Sequence, residues 1–393
     1  MDYNLKKMAA RAEILKAYTA GDQPWLVTYS GGKDSSVMLS EVIRTLVMLR
    51  DHNPAQLKRK IIITTSQTHL DLVTDPLKQE EMQKIREYVN RYQLPVEIRE
   101  VEAPTEKTFM YLVVGKGYPL PKSRVNRWCT ERLKIEPSNK LKKELEPELT
   151  AIGVRLSETI ERRASIESRQ VSEYYSDNAF MPIVNFTLDD VWTYLIKEGM
   201  PWGSAEKLSQ LYKDATGECG LHKKAGRNEK TDDPCGARTG CIICPVVTID
   251  KSSKEFAKTH PWLQPYVELR NIIIDMYKDE RNKSGTMRNG TQLGYGKGTF
   301  TIKARMKLYE IIKQAEADNE KLALMYGAQP QKLIYSDELD ELIHRQWEED
   351  ALECPWLEDA QEIGRFYEVK IKGLRNGSQL VWNYLYDTPL EAL

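Results

Sequence analysis

Strand and helix signals alternate through the first third of the chain, and that alternation restricts the fold more than any other feature. PWLVTY (Pro24 to Tyr29) is a short apolar run rich in β-formers, KIIITT (Lys60 to Thr65) and VEIREV (Val96 to Val101) are two more, and LTAIGVR (Leu149 to Arg155) is a fourth. Ser35 to Arg50 and Pro76 to Tyr92 lie between them and carry apolar groups at helical spacing. Parallel strands joined through helices need right-handed crossovers, which cover both faces of the sheet. The expectation is an α/β doubly wound parallel sheet with its ligands at the carboxyl ends of the strands.

The 393 residues suffice for more than one domain, at about 150 residues each. The pattern divides into an N-terminal helix (1–20), the sheet domain (21–215), a cysteine-rich loop (216–250), a mostly helical region (251–330) and a C-terminal extension (331–393) without an assigned role. Thr187 with Asp190 three residues on reads as a capping-box-like helix start. Residues 217–240 are polar, glycine-rich and aperiodic, a loop length that compact domains keep for function or leave disordered. Pro261 to Arg281 and Thr301 to Tyr326 read as long helices, and RFYEVKI (Arg365 to Ile371) as strand-like.

Charge narrows the function classes. Hydrophobic residues make up 41% and charged residues 29%, with 57 basic against 58 acidic groups and a net charge of −1. This excludes a disordered chain and a permanent nucleic-acid coat, so contact with DNA or RNA has to come from a local patch or a partner. No apolar run approaches the roughly 18 residues that span a bilayer. The first residues read as an amphipathic helix, not a signal peptide, so the expected location is cytoplasmic with no membrane contact.

Ser30-Gly31-Gly32-Lys33-Asp34-Ser35-Ser36 lies between the first strand and the first helix. Two glycines let the backbone turn and bring its N–H groups against an anion. The helix adds its N-terminal partial positive charge, and Ser30, Ser35 and Ser36 add hydroxyls. Lys33 supplies a point charge for a phosphate, while Asp34 either holds Mg²⁺ or positions the loop. The spacing is not that of the GxxxxGK[ST] phosphate loop. SGGKDS instead resembles the pyrophosphatase loop of the adenine nucleotide α-hydrolase superfamily. That resemblance implies a Rossmann-like fold, cleavage of ATP between its α and β phosphates, and adenylation of a substrate oxygen, with Lys33, Asp34 and Ser35 catalytic. It also places adenine at the end of the next strand, with Thr65 and Ser66 as contacts; an ordinary polar strand end is the alternative.

Two downstream segments resemble the sulfonucleotide (PAPS) reductase branch. Arg127 to Lys134 carries W-C-T-x-x-x-K, with Cys129 among three cations, a setting that favours thiolate. Arg132 and Lys134 are its candidate phosphate donors. Gly153-Val154-Arg155-Leu156-Ser157-Glu158-Thr159, with Arg162 and Arg163 following, is similar to G-x-R-x-x-E-S-x-x-R, with Thr159 in place of the usual serine. The resemblance implies nucleotide or phosphate contacts for Gly153, Arg155, Glu158 and Arg162. A helix start with Glu158–Arg162 pairing is the plainer reading, and both can hold. Met181 to Trp192 matches P-I-x-x-W-[ST]-x-x-D-V-W except for Phe186, and reads as structural.

The six cysteines are unevenly placed. Cys235, Cys241 and Cys244 are bunched, Cys129 stands far upstream, Cys219 is a rival ligand, and Cys354 reads as an ordinary packed cysteine. Four thiolates suit a [4Fe–4S] cluster or structural Zn²⁺, and one close pair with a remote fourth ligand leans towards the cluster. The loop ending C-x-x-C-x-V-V before Asp250-Lys251, together with GYGKGTFT (Gly294 to Thr301), resembles the DndC/SspD component of DNA phosphorothioation systems. That implies an ATP pyrophosphatase with an Fe–S cluster on Cys129, Cys235, Cys241 and Cys244, which helps to replace a non-bridging DNA phosphate oxygen by sulfur. ATP and Mg²⁺ are the implied cofactors; a cysteine desulfurase, other phosphorothioation proteins and weakly bound DNA are the implied partners. Arg155, Arg162, Lys134 and the stretch from Arg288 to Lys303 are candidates for holding nucleotide or the DNA backbone. A sulfonucleotide reductase or a tRNA thiolase is the alternative enzyme, and a nucleotide-sensing scaffold with structural zinc the alternative of another class.

Overall fold

The computed structural model describes residues 2–121, 127–157, 164, 167–176, 179–216, 240–247 and 249–357. Glu158, Arg162, Cys219, Cys235 and the strand-like segment 365–371 lie outside the described residues. The chain forms two compact units, one from Met1–Glu102, Leu133–Gly240 and Lys251–Phe256, the other from Ala103–Arg132, Cys241–Asp250 and Ala257–Leu393. The segment boundaries read from sequence run differently. The N-terminal helix is part of the first unit, and residues 103–132 join the second unit although they fall inside the expected sheet domain.

In the first unit, α1 (Tyr3–Thr19) precedes β1 (Trp25–Thr28), α2 (Lys33–His52), β2 (Ile61–Gln67), α3 (Thr74–Arg91) and β3 (Val96–Glu102). After α4 (Trp128–Thr130), a single turn in the second unit, come α5 (Glu136–Leu145), β4 (Leu149–Ala151), β5 (Gln170–Ser172), β6 (Tyr175–Ser176) and β7 (Ala179–Phe180). The seven strands take the order β3-β2-β1-β4-β7-β6-β5. Neighbours from β3 to β7 are parallel, and β7-β6-β5 is an antiparallel edge. This is a Rossmann-like doubly wound sheet. The chain winds outward from β1 through β2 to β3, then returns to lay β4 on the other side of β1, which puts the topological switch point between β1 and β4.

Burial follows position in the sheet. Trp25, Leu26, Val27, Ile61, Ile62 and Ile63 are all sealed from solvent, as central parallel strands covered on both faces require. β3, at the edge, is half-buried and carries Glu97, Arg99 and Glu100. The strand from Leu149 is shorter than its apolar run suggests: Ile152 still donates to the Phe180 carbonyl, and at Gly153 the backbone packs against the start of α2. Arg59 is buried beneath β1 and holds α1 to the sheet: it donates to the Ala17 and Gly21 carbonyls and to Glu148, and lies over the Trp25 ring. α6 (Leu188–Lys197) starts on the expected capping box, with Thr187 accepting from the Asp190 N–H and Asp190 accepting from Thr187. α7 (Glu206–Thr216) follows.

α8 (Lys251–Thr259) carries the chain into the second unit, where α9 (Gln264–Lys278), α10 (Ile302–Met325) and α11 (Asp337–Glu353) form a helical layer. α11 packs on a π-helical turn, Tyr111–Gly115. Tyr111 donates to Gln346 at 2.7 Å, and Trp347 donates to the Val114 carbonyl at 2.8 Å. At its centre Asp350 accepts from Arg288 through both oxygens (2.6 Å each), from Arg305 at 2.7 Å and from Gln346 at 3.0 Å. Among the described residues no helix is long and apolar enough to cross a membrane.

Candidate functional site

A cavity of about 530 Å³ opens in the first unit at the switch point, floored by the ends of β1, β2 and β4. The turn after β1 shapes it. Gly31 has φ +74°, a left-handed conformation that side chains rarely adopt, and a Cβ there would meet Lys78 at 3.2 Å. Ser30 and Ser35 hydroxyls lie 3.0 Å apart, and Ser35 Oγ donates to the Gly32 carbonyl at 2.9 Å, which ties the turn into a compact ring. α2 begins on Gly32 without a cap from that residue's side chain; the Lys33 N–H reaches the Tyr212 hydroxyl, and the next N–H groups of the first turn are left for an anion. Gly153, two residues beyond β4 across the switch point, comes so close that a Cβ would sit 2.8 Å from Ser35 Cα. Only glycine fits there.

Ser30, Gly31, Gly32, Lys33, Asp34, Ser35, Thr65, Ser66, Lys134 and Gly153 all line this cavity. Ser36 lies just behind, fully buried beside the Tyr29 hydroxyl. Thr64 and Thr65 are also buried in the wall with unpartnered hydroxyls. Buried orphan oxygens are rare in folded proteins and mark where a ligand or water completes the set. The chemistry of the cavity therefore fits a nucleoside triphosphate: a glycine turn and a helix start for phosphates, hydroxyl-bearing strand ends for the remainder.

One expected role changes, and one of the two alternatives for Asp34 is favoured. Arg155 does not line the cavity. It is 2% exposed, donates to Asp34 Oδ1 at 2.6 Å and to Ser157 at 3.0 Å, and so braces the loop from behind where a phosphate or DNA contact was expected. Asp34 has Arg155 on one oxygen and the Lys33 ammonium 3.4 Å from the other. That is the loop-positioning alternative for Asp34, since a free metal ligand would keep an open oxygen.

The cavity residues missed by the sequence reading include Asp71, Asp75, Lys78 and Tyr212. Asp71 caps α3 by accepting from Thr74 N–H. Lys78 is buried in the wall and donates to the Ser66 carbonyl at 2.9 Å and to Asp75 Oδ1 at 2.7 Å. Asp75 Oδ2 has no partner. Burial pushes the Asp75 carboxyl up, against the pull of Lys78. The helix-start signal T-D-P was visible in the sequence, but nothing in TDPLKQEE distinguishes cavity-facing charges from a solvated face.

The nominated cysteine ligands that are described lie in the second unit. Cys241 and Cys244 form a turn, with Cys244 N–H donating to the Cys241 carbonyl at 3.0 Å. Arg270 clamps that turn by donating to the Cys244 and Val247 carbonyls. Trp128 stacks on Phe109 at 5.5 Å and anchors Cys129 beside it. Burial, and then the nearby Cys244, raise the Cys129 thiol above its ordinary range, the reverse of the expected thiolate. The expected cations turn elsewhere: Arg132 lies over the Tyr118 ring at 5.3 Å, and Lys134 lines the cavity of the first unit. Among the described residues no three Cys, His, Asp or Glu side chains come together to hold a metal. Of the four nominated ligands, Cys129, Cys241 and Cys244 are thus described, and Cys235 lies outside the described residues. Cys354 packs near Asp350 and Arg288, where burial raises its thiol.

The doubly wound sheet and the SGGKDS turn at its switch point define an ATP pyrophosphatase-loop protein. Within that superfamily, the chain belongs to the phosphoadenosine phosphosulfate reductase domain family, whose model matches residues 24–247. It is 24% identical over 268 residues to an uncharacterized protein of Methanocaldococcus jannaschii, a match that takes in 66% of this chain and 45% of that relative. The chain is therefore matched to less than half of the relative's length. Among solved structures it is similar, at a TM-score of 0.34 and 14% identity, to the U34-tRNA thiolase NcsA from Methanococcus maripaludis with its [4Fe-4S] cluster, over 69% of this chain and 79% of that one. The FMN adenylyltransferase of Candida glabrata, in complex with FAD and inorganic pyrophosphate, is similar at a TM-score of 0.34 and 13% identity, over 55% of this chain and 62% of that one.

Proposed function

We propose that the chain cleaves ATP between the α and β phosphates and adenylates a phosphate oxygen of DNA, so that sulfur can replace it. One observation carries the first half of this reading: the helix start behind Gly31 and Gly32 opens into a cavity whose walls hold unpartnered hydroxyls. A DNA phosphate oxygen attacks the α-phosphorus, the bond to the β-phosphate oxygen breaks, and pyrophosphate leaves with the bonding pair. Lys33 and the first N–H groups of α2 stabilise the charge that builds on it. Asp34, held by Arg155, keeps Lys33 near the leaving group. Mg²⁺ needs only one or two carboxylates besides phosphate oxygens, and the open oxygen of Asp75 suits it better than Asp34 does. When bound, the ion supplies neutralisation of phosphate charge.

The DNA half rests on the cysteine loop and the GYGKGTFT run of the sequence. A cysteine desulfurase and other phosphorothioation proteins are the proposed partners: the terminal sulfur of a persulfide displaces AMP, and a second thiol then cleaves the S–S bond, leaving sulfur on phosphorus and a disulfide behind. A [4Fe–4S] cluster on Cys129, Cys235, Cys241 and Cys244, or Zn²⁺ in its place, belongs to this proposal, and none of the adenylation chemistry depends on it. The test is pyrophosphate release from ATP with DNA, tRNA or adenylyl sulfate added in turn. Release should rise with DNA, and Lys33→Ala should lower it about a hundredfold, as removal of a leaving-group stabiliser does. Equal release by both proteins would remove the catalytic assignment, and stimulation by tRNA or adenylyl sulfate in place of DNA would move the substrate.

A further inference from the structure

Tyr212 lies in α7, well over a hundred residues beyond the phosphate loop in sequence, yet three features of the loop meet it. The Lys33 backbone N–H donates to its hydroxyl at 3.4 Å. The Lys33 ammonium sits 4.8 Å from its ring centroid. A Cβ on Gly32 would approach its hydroxyl to 3.4 Å. The ring is nearly buried and fixed edge-on against Trp192 at 5.4 Å, so it is a rigid surface. On its other side the ammonium has Asp34 at 3.4 Å, itself braced by Arg155.

A lysine side chain has four rotatable bonds, and fixing it for each catalytic cycle costs conformational entropy. An aromatic face attracts an ammonium without neutralising it, whereas a second carboxylate would compete with the phosphate for the charge. We propose that Tyr212 is a positioning residue that presents Lys33 to the β- and γ-phosphates of ATP: its ring holds the ammonium in the cavity, and its hydroxyl fixes the backbone of the same residue. This rests on the reading of Lys33 as a phosphate-binding group. A core aromatic that merely packs on Trp192 would stabilise α7 without acting through Lys33, and that difference is measurable.

The experiment is a double-mutant cycle on the full chain, with binding of α,β-methylene ATP followed by calorimetry. Tyr212→Met keeps the buried volume and removes the ring, and should weaken binding about tenfold, within the range of a desolvated cation–aromatic contact. Tyr212→Phe keeps the ring and should stay within about threefold of wild type. In a Lys33→Ala background, where only the hydroxyl contact to the backbone remains to be lost, Tyr212→Met should change binding by no more than the about threefold allowed for Tyr212→Phe. If Lys33→Ala alone leaves affinity unchanged, the phosphate-cradle reading itself fails. If Lys33→Ala weakens binding but Tyr212→Met costs the same factor in both backgrounds, the cradle stands and the positioning role is overturned. A measurement that needs no Tyr212 variant closes the remaining gap: in lysine-labelled wild-type protein, the Lys33 side-chain resonances, assigned with Lys33→Ala, should show an upfield ring-current shift. Unshifted resonances would equally overturn the proposal.

Discussion

Asp350 in the second unit and Asp75 in the first are both buried aspartates paired with buried cations, and they are completed very differently. Asp350 has both oxygens filled, by two arginines and a glutamine. Burial works against its charge, but the Arg288 hydrogen bonds and the Arg305 charge overcome it and hold the carboxyl below its usual range. Asp75 has one lysine on one oxygen and nothing on the other. There burial wins, with Asp71 adding to it, and the carboxyl is raised. The Asp350 carboxylate has both oxygens filled, although its partner Arg305 keeps one unpartnered nitrogen; the Asp75 carboxylate itself stops an atom short, in a cavity wall where a ligand can complete it.

The contrast breaks first, if at all, on stability. Asp350→Ala strands the buried Arg305 guanidinium and the half-buried Arg288 and should cost about 3–5 kcal/mol, read as a fall in the denaturation midpoint. Asp75→Asn leaves Lys78 its carbonyl partner and should cost about 1–2 kcal/mol by the same measurement; equal losses would mean that both networks are structural. On activity the order reverses: Asp75→Asn should raise the KM for ATP with Mg²⁺ by about tenfold, the worth of one charge-assisted contact. The smallest effect is in pH dependence, and its signs are opposite. Asp350, lowered in the fold, gives stability that is present above the ordinary carboxylate range and is lost as pH falls through its folded value. Asp75, raised in the fold, favours folding below that range, and the benefit disappears as pH rises through its raised value. Asp350→Asn should therefore flatten the acid limb of a stability–pH curve, and Asp75→Asn the limb just above the usual carboxylate range.

Much of the first unit was legible because its signals are local. Leu26, Val27 and Ile61 to Ile63 form apolar runs that only covered strands tolerate, and Gly31-Gly32-Lys33 sits where a strand must hand over to a helix. The roles of Arg155 and Cys129 were not legible. An arginine beside a glycine after a strand reads as a phosphate contact, and only the folded backbone shows it turning back onto Asp34. Cations adjacent in sequence to Cys129 point along different directions of a helical turn, so sequence neighbours did not become spatial ones. Tyr212 could not be singled out, since an aromatic on an amphipathic helix has the same pattern whether it packs a core or faces a ligand.

The approach of Gly153 to Ser35 brings together backbones more than a hundred positions apart in the chain. Nucleotide can thus be gripped only after β4 has docked beside β1, and a fragment ending at β3 would have the glycine turn but half a pocket. Occupancy by ATP becomes a report on whether the sheet has closed, and a saturating nucleotide should protect β4 from hydrogen exchange as strongly as it protects the loop it touches.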